Sequence, residues 1–481
     1  MSYQVIADKI RGMAFRHMDS MLGEQVSEIA LALLTYKSMS ARYLDAFADS
    51  LNRDRVTWHD LQALKCSEPQ EYAAVETGLR NSKLGFTVSP ENLLESLAQK
   101  AREGAPMGTL LKTAFLQIEN DSRQECLLRV FTSLCTDASQ RHDGGGVGAL
   151  VAGMDDILTS NGVDLSALSQ VGDHLLAGLD KSAGLSLFSR CVPVQVSHLL
   201  AGIVTPPVGH TLSRVLDNAC GLGGPLQAVL DVCASAIPDV LYGQDANPYS
   251  RNITRLNLLL HGISPADLRI STSSVSGEVT CENAYREKFD AVISVPPTTP
   301  KLSALHGSDE RFREYGYRPS PCSTDFAFVL DGLYRLNHGG ILAMCLMHGF
   351  TFRGGVDAKV RRSLVEKNQV DAVIALPYNI FKQTGAPYSI LVLRKDRPEN
   401  QDILIINAQE HFRPERHTRI LLPGLVERIV AAYHAREEIP DFSRRVSSDE
   451  IKERDYVLNA PLYLAAGNPA DEELGSPSPC P

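Results

Sequence analysis

The chain has 481 residues, 44% hydrophobic and 22% charged, an ordinary globular composition with enough length for two or three units that each bury a core. No run approaches eighteen consecutive apolar residues, and no basic-then-apolar leader opens the chain, so neither a membrane span nor a secretory signal is expected and a cytoplasmic location is. A formal charge of −10 argues against a protein that grips nucleic acid by itself, and ten scattered cysteines with no C-x-x-C pair argue against a zinc site or a disulfide framework.

From residue 1 to about 185 the pattern is helical, with Val26, Ile29, Ala30, Leu33 and Tyr36 at i, i+3, i+4 spacing. The glycine run Gly144, Gly145, Gly146 and Gly148, after His142 and Asp143, reads as a loop; with no strand before it, it is not read as a phosphate cradle. From about 186 to 400 short apolar runs alternate with amphipathic stretches, as in β-α-β units around a largely parallel sheet. Strands are expected near 213–217, 240–244, 268–272, 289–294, 340–347, 370–376 and 388–394. The loop Pro377 to Pro387 is too short for a helical crossover, so the last pair is expected to be antiparallel. Residues 401–464 read as an extension with a strand-like run at Ile403 to Ile406, then helix, and 465–481 as a disordered Gly/Pro/Ser/acidic tail.

The first strand runs into Asp217-Asn218-Ala219-Cys220-Gly221-Leu222-Gly223-Gly224 and then into a helix starting at Pro225. Gly221 and Gly223 allow close backbone approach, and the helix start offers unpaired N–H groups to a carboxylate. The second strand ends in Asp245, where a carboxylate can accept two hydrogen bonds from a ribose diol. Without a phosphate-binding lysine or a full dinucleotide fingerprint, S-adenosylmethionine fits better than a nucleotide cofactor, with Asp217 orienting its amino group or the turn itself.

These residues resemble the modification subunits of type I restriction systems, which methylate adenine N6 in DNA. Asp217 to Leu226 is similar to that family's Asp-Pro-Ala-Cys-Gly-Thr-Gly-Gly-Phe-Leu, and Gly243-Gln244-Asp245 with Asn257 to Ile263 to its second motif. The longest match runs from Phe352-Arg353-Gly354-Gly355 through Ile374 to Pro377, Phe381 and Thr384-Gly385 to Leu391 to Lys395. Leu33 to Tyr43 and Asp455-Tyr456-Val457-Leu458-Asn459 also fit, so the resemblance covers nearly the whole chain. It implies a class I S-adenosylmethionine-dependent methyltransferase fold, a Rossmann-like seven-stranded sheet with an N-terminal helical domain and a C-terminal helical tail. It also implies Asp217, Ala219, Gly221, Gly223, Asp245 and Pro193 as cofactor-binding residues.

The resemblance breaks at the acceptor. The fourth strand of such enzymes ends in Asn-Pro-Pro-Phe or Asn-Pro-Pro-Tyr: side-chain and backbone acceptors draw on the N–H bonds of a weakly nucleophilic amine, and the ring stacks on the flipped base. Here the motif is Val295-Pro296-Pro297-Thr298; valine accepts no hydrogen bond and threonine cannot stack. Alternation along a strand turns Ser294 away from the side residue 295 faces, and Phe381 is the remaining base-stacking candidate, with a core role equally open. Ser271-Thr272-Ser273-Ser274 replaces a Gly-Asp pair, and Val192-Pro193 replaces Thr-Pro.

The resulting expectation is a modification-subunit-like protein that binds S-adenosylmethionine within a DNA-binding complex, with methyl transfer lost or impaired. Two alternatives stand beside it: a fully active adenine-N6 methyltransferase, and a non-catalytic scaffold or decoy. The implied partners are DNA, a specificity subunit and a second modification subunit or a restriction subunit. Local basic groups that could touch DNA, or be solvated surface, are Arg311 and Arg313, then Arg353, Lys359, Arg361 and Arg362, then Arg413, Arg416 and Arg419.

Overall fold

Eight helices fill the described residues up to 182: Tyr3–His17, Gly23–Ser50, Trp58–Ser67, Pro69–Asn81, Leu94–Arg102, Met107–Asp121, Gly146–Ser160 and Leu165–Ser182. The computed structural model describes residues 1–17, 23–121, 125–133, 146–182, 192–205, 212–233, 237–272, 275, 287–298, 309–318, 324–381, 384–415 and 418–464. In the long second helix Val26, Ala30, Leu33 and Tyr36 are all buried, as their spacing requires, and Tyr36 packs edge-on against Phe115 and Phe131 at 5.1 and 5.7 Å. One expectation is corrected: Gly146 opens a helix instead of lying in a loop. Val147, Leu150, Val151 and Met154 bury one face of that helix, and this apolar stripe outweighs the glycines' weak propensity. His142 to Gly145 lie outside the described residues, as does the expected disordered tail, 465–481.

The sheet strands are β1 (Arg214–Asp217), β2 (Val240–Gln244), β3 (Leu268–Ser271), β4 (Phe289–Ser294), β5 (Leu336–Met347), β6 (Val370–Ala375), β7 (Tyr388–Arg394), β8 (Ile403–Asn407) and β11 (Ser443–Val446); β9 (Arg413–Glu415) and β10 (Thr418–Ile420) form a separate ribbon. Their order is β11-β8-β6-β7-β5-β4-β1-β2-β3. β3, β2, β1, β4 and β5 run parallel, and β7 is antiparallel to both β5 and β6, as the short loop before it demands. Its first seven strands thus follow the class I methyltransferase order. Among the described residues two further strands widen the expected seven: β8 joins β6 in parallel and β11 closes that edge antiparallel. The Ser443-Arg444-Arg445-Val446 strand hides in the sequence because its arginines are held by Glu450 and Glu438.

Both faces of the central strands are covered, so β4, β6 and β7 read as near-continuous apolar runs. Val215, Ala291 and Ile293 pack toward the cluster shared with the N-terminal helices, while Leu216 and Val292 pack toward the helices Asp325–Tyr334 and Gly355–Glu366. Gly332 lets the first of those helices settle on the sheet, since a Cβ there would meet Leu342, Met344 and Val292 at 2.8, 2.9 and 3.0 Å. Strand order reverses between β1 and β4. The carboxyl ends of these two strands therefore frame a topological switch point, where doubly wound sheets form a ligand crevice.

Candidate active site

At that crevice β1 ends in Asp217 and turns through Gly221 (φ 53°) and Gly223 (φ 89°) into the helix Gly224–Val232. Both glycines occupy the left-handed region that side chains avoid, and a Cβ on Gly223 would also lie 3.2 Å from Thr254. The helix Pro248–Leu260 holds the turn from behind: the Thr254 hydroxyl donates to the Gly221 carbonyl at 2.9 Å, and Asn257 Nδ2 to that of Leu222 at 3.1 Å. With those carbonyls committed, and no side-chain cap from Gly223, the start of the following helix is left as an anion-favouring end.

Two carboxylates meet this turn. Asp245, half-buried just beyond β2, accepts from Gly221 N at 3.1 Å and from Asn247 N at 2.7 Å. Asp217 is fully buried; its Oδ1 accepts from Ala219 N at 3.0 Å and from the Ser294 hydroxyl at 2.9 Å, while its Oδ2 has no hydrogen-bond partner among the described residues. Burial pushes the Asp217 carboxyl up to about 7; the two donors oppose the shift and the charge of Asp245 adds to it. An orphaned buried carboxylate oxygen beside a glycine turn is a site short of a cation, and the ammonium group of an amino-acid-bearing cofactor fits that need. Nearby, Pro193 caps the helix Val194–Val204, whose Ser197 hydroxyl is buried, without a partner among the described residues and 3.3 Å from where a Cβ of Gly224 would sit. Asp217, Ala219, Gly221, Gly223 and Asp245 therefore come together, with Pro193 at the start of a helix that packs beside the turn.

The underside of the turn is anchored by charge. Asn218 Nδ2 donates to Asp331 Oδ2 and to the Phe328 carbonyl, both at 3.0 Å, and Arg311 donates to Asp331 Oδ1 at 2.8 Å. Arg311 is also held by Asp309 at 2.6 Å, and its side chain is 2% exposed. This corrects one reading of the basic groups. Arg361 is equally buried, donating to the carbonyls of Phe350, Arg353 and Tyr456, and Arg353 pairs with Asp325 and Asp357. These arginines build the protein. Arg313, Lys359 and Arg413 are exposed, and Arg416 lies outside the described residues.

On the acceptor side Val295 is half-buried against the core, Pro296 is buried, and Pro297 and Thr298 are exposed. Phe381 is 7% exposed with its ring 4.2 Å from that of Tyr388, so in this arrangement it belongs to the core and offers no free face to a base. Exposed rings on the same rim, where β5 and β6 end, are Phe352 and Tyr378. Phe352 follows a turn at which the two late motifs meet: Leu458 N donates to the Thr351 carbonyl at 2.8 Å, and His348 touches Ser389 at 2.7 Å and Asn459 at 3.0 Å. Burial holds the His348 ring below its usual range, and the Asn459 side chain opposes the shift. Sequence reasoning missed the Ser294–Asp217 bond and Ser197. Strand alternation gave the direction of Ser294 but not its partner, which requires the β1–β4 register.

Comparison with known proteins places this geometry. A family model described as N-6 DNA Methylase matches residues 173–472. The type I restriction enzyme MpnII methylase subunit of Mycoplasma pneumoniae is 29% identical over 95% of this chain and 88% of its own length. The MjaVII methylase subunit of Methanocaldococcus jannaschii is 31% identical over 56% of this chain and 48% of its own. Among solved structures, a type I restriction-modification methyltransferase subunit from Streptococcus thermophilus shares the fold with a TM-score of 0.82, at 24% identity over 96% of this chain and 100% of that one.

Proposed function

Because the chain belongs to the N-6 DNA methylase family, we propose that it is a type I modification-subunit-like protein that retains the S-adenosylmethionine frame and has lost or impaired adenine-N6 methyl transfer. One observation carries the reading. The side-chain oxygen next to position 295, that of Ser294, already donates to Asp217 and is directed at the cofactor side. Val295 brings no acceptor of its own, which leaves main-chain carbonyls to polarise an incoming amine. Loss of a single positioned polar group at a reacting centre typically costs on the order of a hundredfold or more in rate, and here the stacking ring is absent from position 298 as well.

The cofactor, when bound, supplies an electrophilic methyl group. Asp217 Oδ2 would take its ammonium group, the start of the Gly224–Val232 helix its carboxylate, and Asp245 its ribose hydroxyls, with Gly221 and Gly223 clearing the space. DNA would be met as part of a cytoplasmic complex. A net charge of −10, with Arg311 and Arg361 committed inside the fold, leaves most of the phosphate grip to a specificity subunit, joined by a second modification subunit or a restriction subunit.

Single-molecule sequencing of adenine methylation in the native strain, with and without the gene, tests this against every natural partner. An unchanged methylome is the expected result. A methylated motif that vanishes with the gene, and returns with the wild-type copy but not with Asp217→Ala, would establish a working enzyme and overturn the reading of Val295.

A further inference from the structure

We propose that Ser294 is the positioning residue of the cofactor carboxylate, its hydroxyl fixing Oδ1 of Asp217 so that Oδ2 is the atom presented to the ligand's ammonium group. The inference rests on the cofactor reading above and deepens it with a residue outside the glycine turn. Both protein donors, Ala219 N at 3.0 Å and Ser294 Oγ at 2.9 Å, converge on Oδ1. They come from different segments, the turn after β1 and the end of β4, and together they stop the carboxylate from rotating. The register explains the reach: Asp217 lies opposite Ile293, so Ser294 overhangs the end of β1 by one residue. Remove the hydroxyl and one backbone donor remains, which leaves the orphaned oxygen without a fixed direction.

The electrostatics sharpen the consequence. The groups acting on Asp217 are Ala219 N and Ser294 as donors and Asp245 as a second anion, and the adjacent Cys220 thiol is pushed far above its ordinary range and stays neutral. Among the described residues no cation acts on Asp217. With the carboxyl at about 7, Asp217 is partly protonated near neutral pH, and an ammonium ligand must displace that proton. Ligand affinity should therefore rise with pH through that region, and loss of the Ser294 donor should move the midpoint upward.

Calorimetry on the full chain between about pH 6 and 8.5 tests this with two probes: S-adenosylhomocysteine, which carries the amino-acid end, and 5′-methylthioadenosine, which lacks it. Ser294→Ala is expected to weaken the first about tenfold near pH 7, the scale of a hydrogen bond to a charged group, and to raise its pH midpoint while leaving the second unchanged. Ser294→Thr should retain the wild-type profile. In an Asp217→Asn background Ser294→Ala should change affinity less than about twofold, because the residue acts through that carboxylate. Equal weakening of both probes, or an unmoved pH profile, would overturn the proposal and leave Ser294 a packing residue. Binding of the second probe without the first at any pH would also overturn it, by showing that no ammonium site exists; binding of neither would sink the cofactor reading itself.

Discussion

The two halves of the crevice, a few residues apart on neighbouring strands, differ in kind. On the β1–β2 side the turn is held by paired polar groups: Asp245 accepts from Gly221, Thr254 and Asn257 hold the turn carbonyls, and Asn218 is anchored on Asp331, while Asp217 Oδ2 stays open toward the crevice. On the β4 side the polar series stops at Ser294, and Val295 packs half-buried against the hydrophobic core. A buried polar group must be satisfied or it costs stability, so a cofactor turn cannot erode one residue at a time without penalty. An acceptor that meets its substrate only during turnover has no such protection. Valine at 295 packs half-buried against the core and leaves no polar group there to satisfy.

The largest effect should come from rebuilding the β4 side. Val295→Asn with Thr298→Phe, measured as methyl transfer by the protein isolated from its host with whatever copurifies, should raise the rate by on the order of a hundredfold to a thousandfold. No gain, with cofactor binding intact, would show that the impairment extends past the two side chains and that the comparison is drawn in the wrong place. Next in size, Asp217→Ala should weaken S-adenosylhomocysteine binding by roughly tenfold to a hundredfold by calorimetry, the range for a hydrogen-bonded charge. An unchanged affinity would mean that the β1 side is eroded as well.

A third test reads the same carboxylate through folding. Its ordinary value is 3.8 and burial raises it to about 7, so between those values the folded chain keeps a proton that the unfolded chain has released. Stability is therefore fully present below the lower value and falls as pH rises toward the upper one, by about 1.4 kcal/mol per pH unit from this group. Asp217→Asn removes the titration. Its denaturant midpoint should be near wild type at pH 4 and above it at pH 8; a constant difference across that range would show that the buried carboxyl does not titrate there.

Much of the fold was legible because it rests on patterns that local chemistry enforces. The apolar runs that became β4, β6 and β7 are buried on both faces, and the loop Pro377 to Pro387 dictated an antiparallel β7. What escaped depends on partners distant in sequence. β11 looks like a charged loop until Glu438 and Glu450 are beside its arginines, and Arg311 and Arg361 look like surface until Asp331 and the Phe350 carbonyl are seen against them. In the site the glycine turn and both carboxylates could be named from residue types at strand ends, whereas the Ser294 bond exists only because β4 lies next to β1.

The smallest effect concerns Phe381, the one aromatic on the β4 side that the sequence offered as a base platform. Its ring is 7% exposed and tilted against Tyr388, so Phe381→Leu keeps an apolar filling and should cost about 1 kcal/mol of stability, the low end for shrinking a core side chain. Cofactor affinity should not change. The informative background is the rebuilt acceptor, Val295→Asn with Thr298→Phe, where the new ring at 298 would carry the stacking. If Phe381→Leu leaves turnover of that variant within about twofold, the residue belongs to the core. If turnover falls by roughly tenfold or more, the scale of an aromatic–base stack, the ring must leave Tyr388 during the reaction, and the β4 side would have kept one working part of its acceptor.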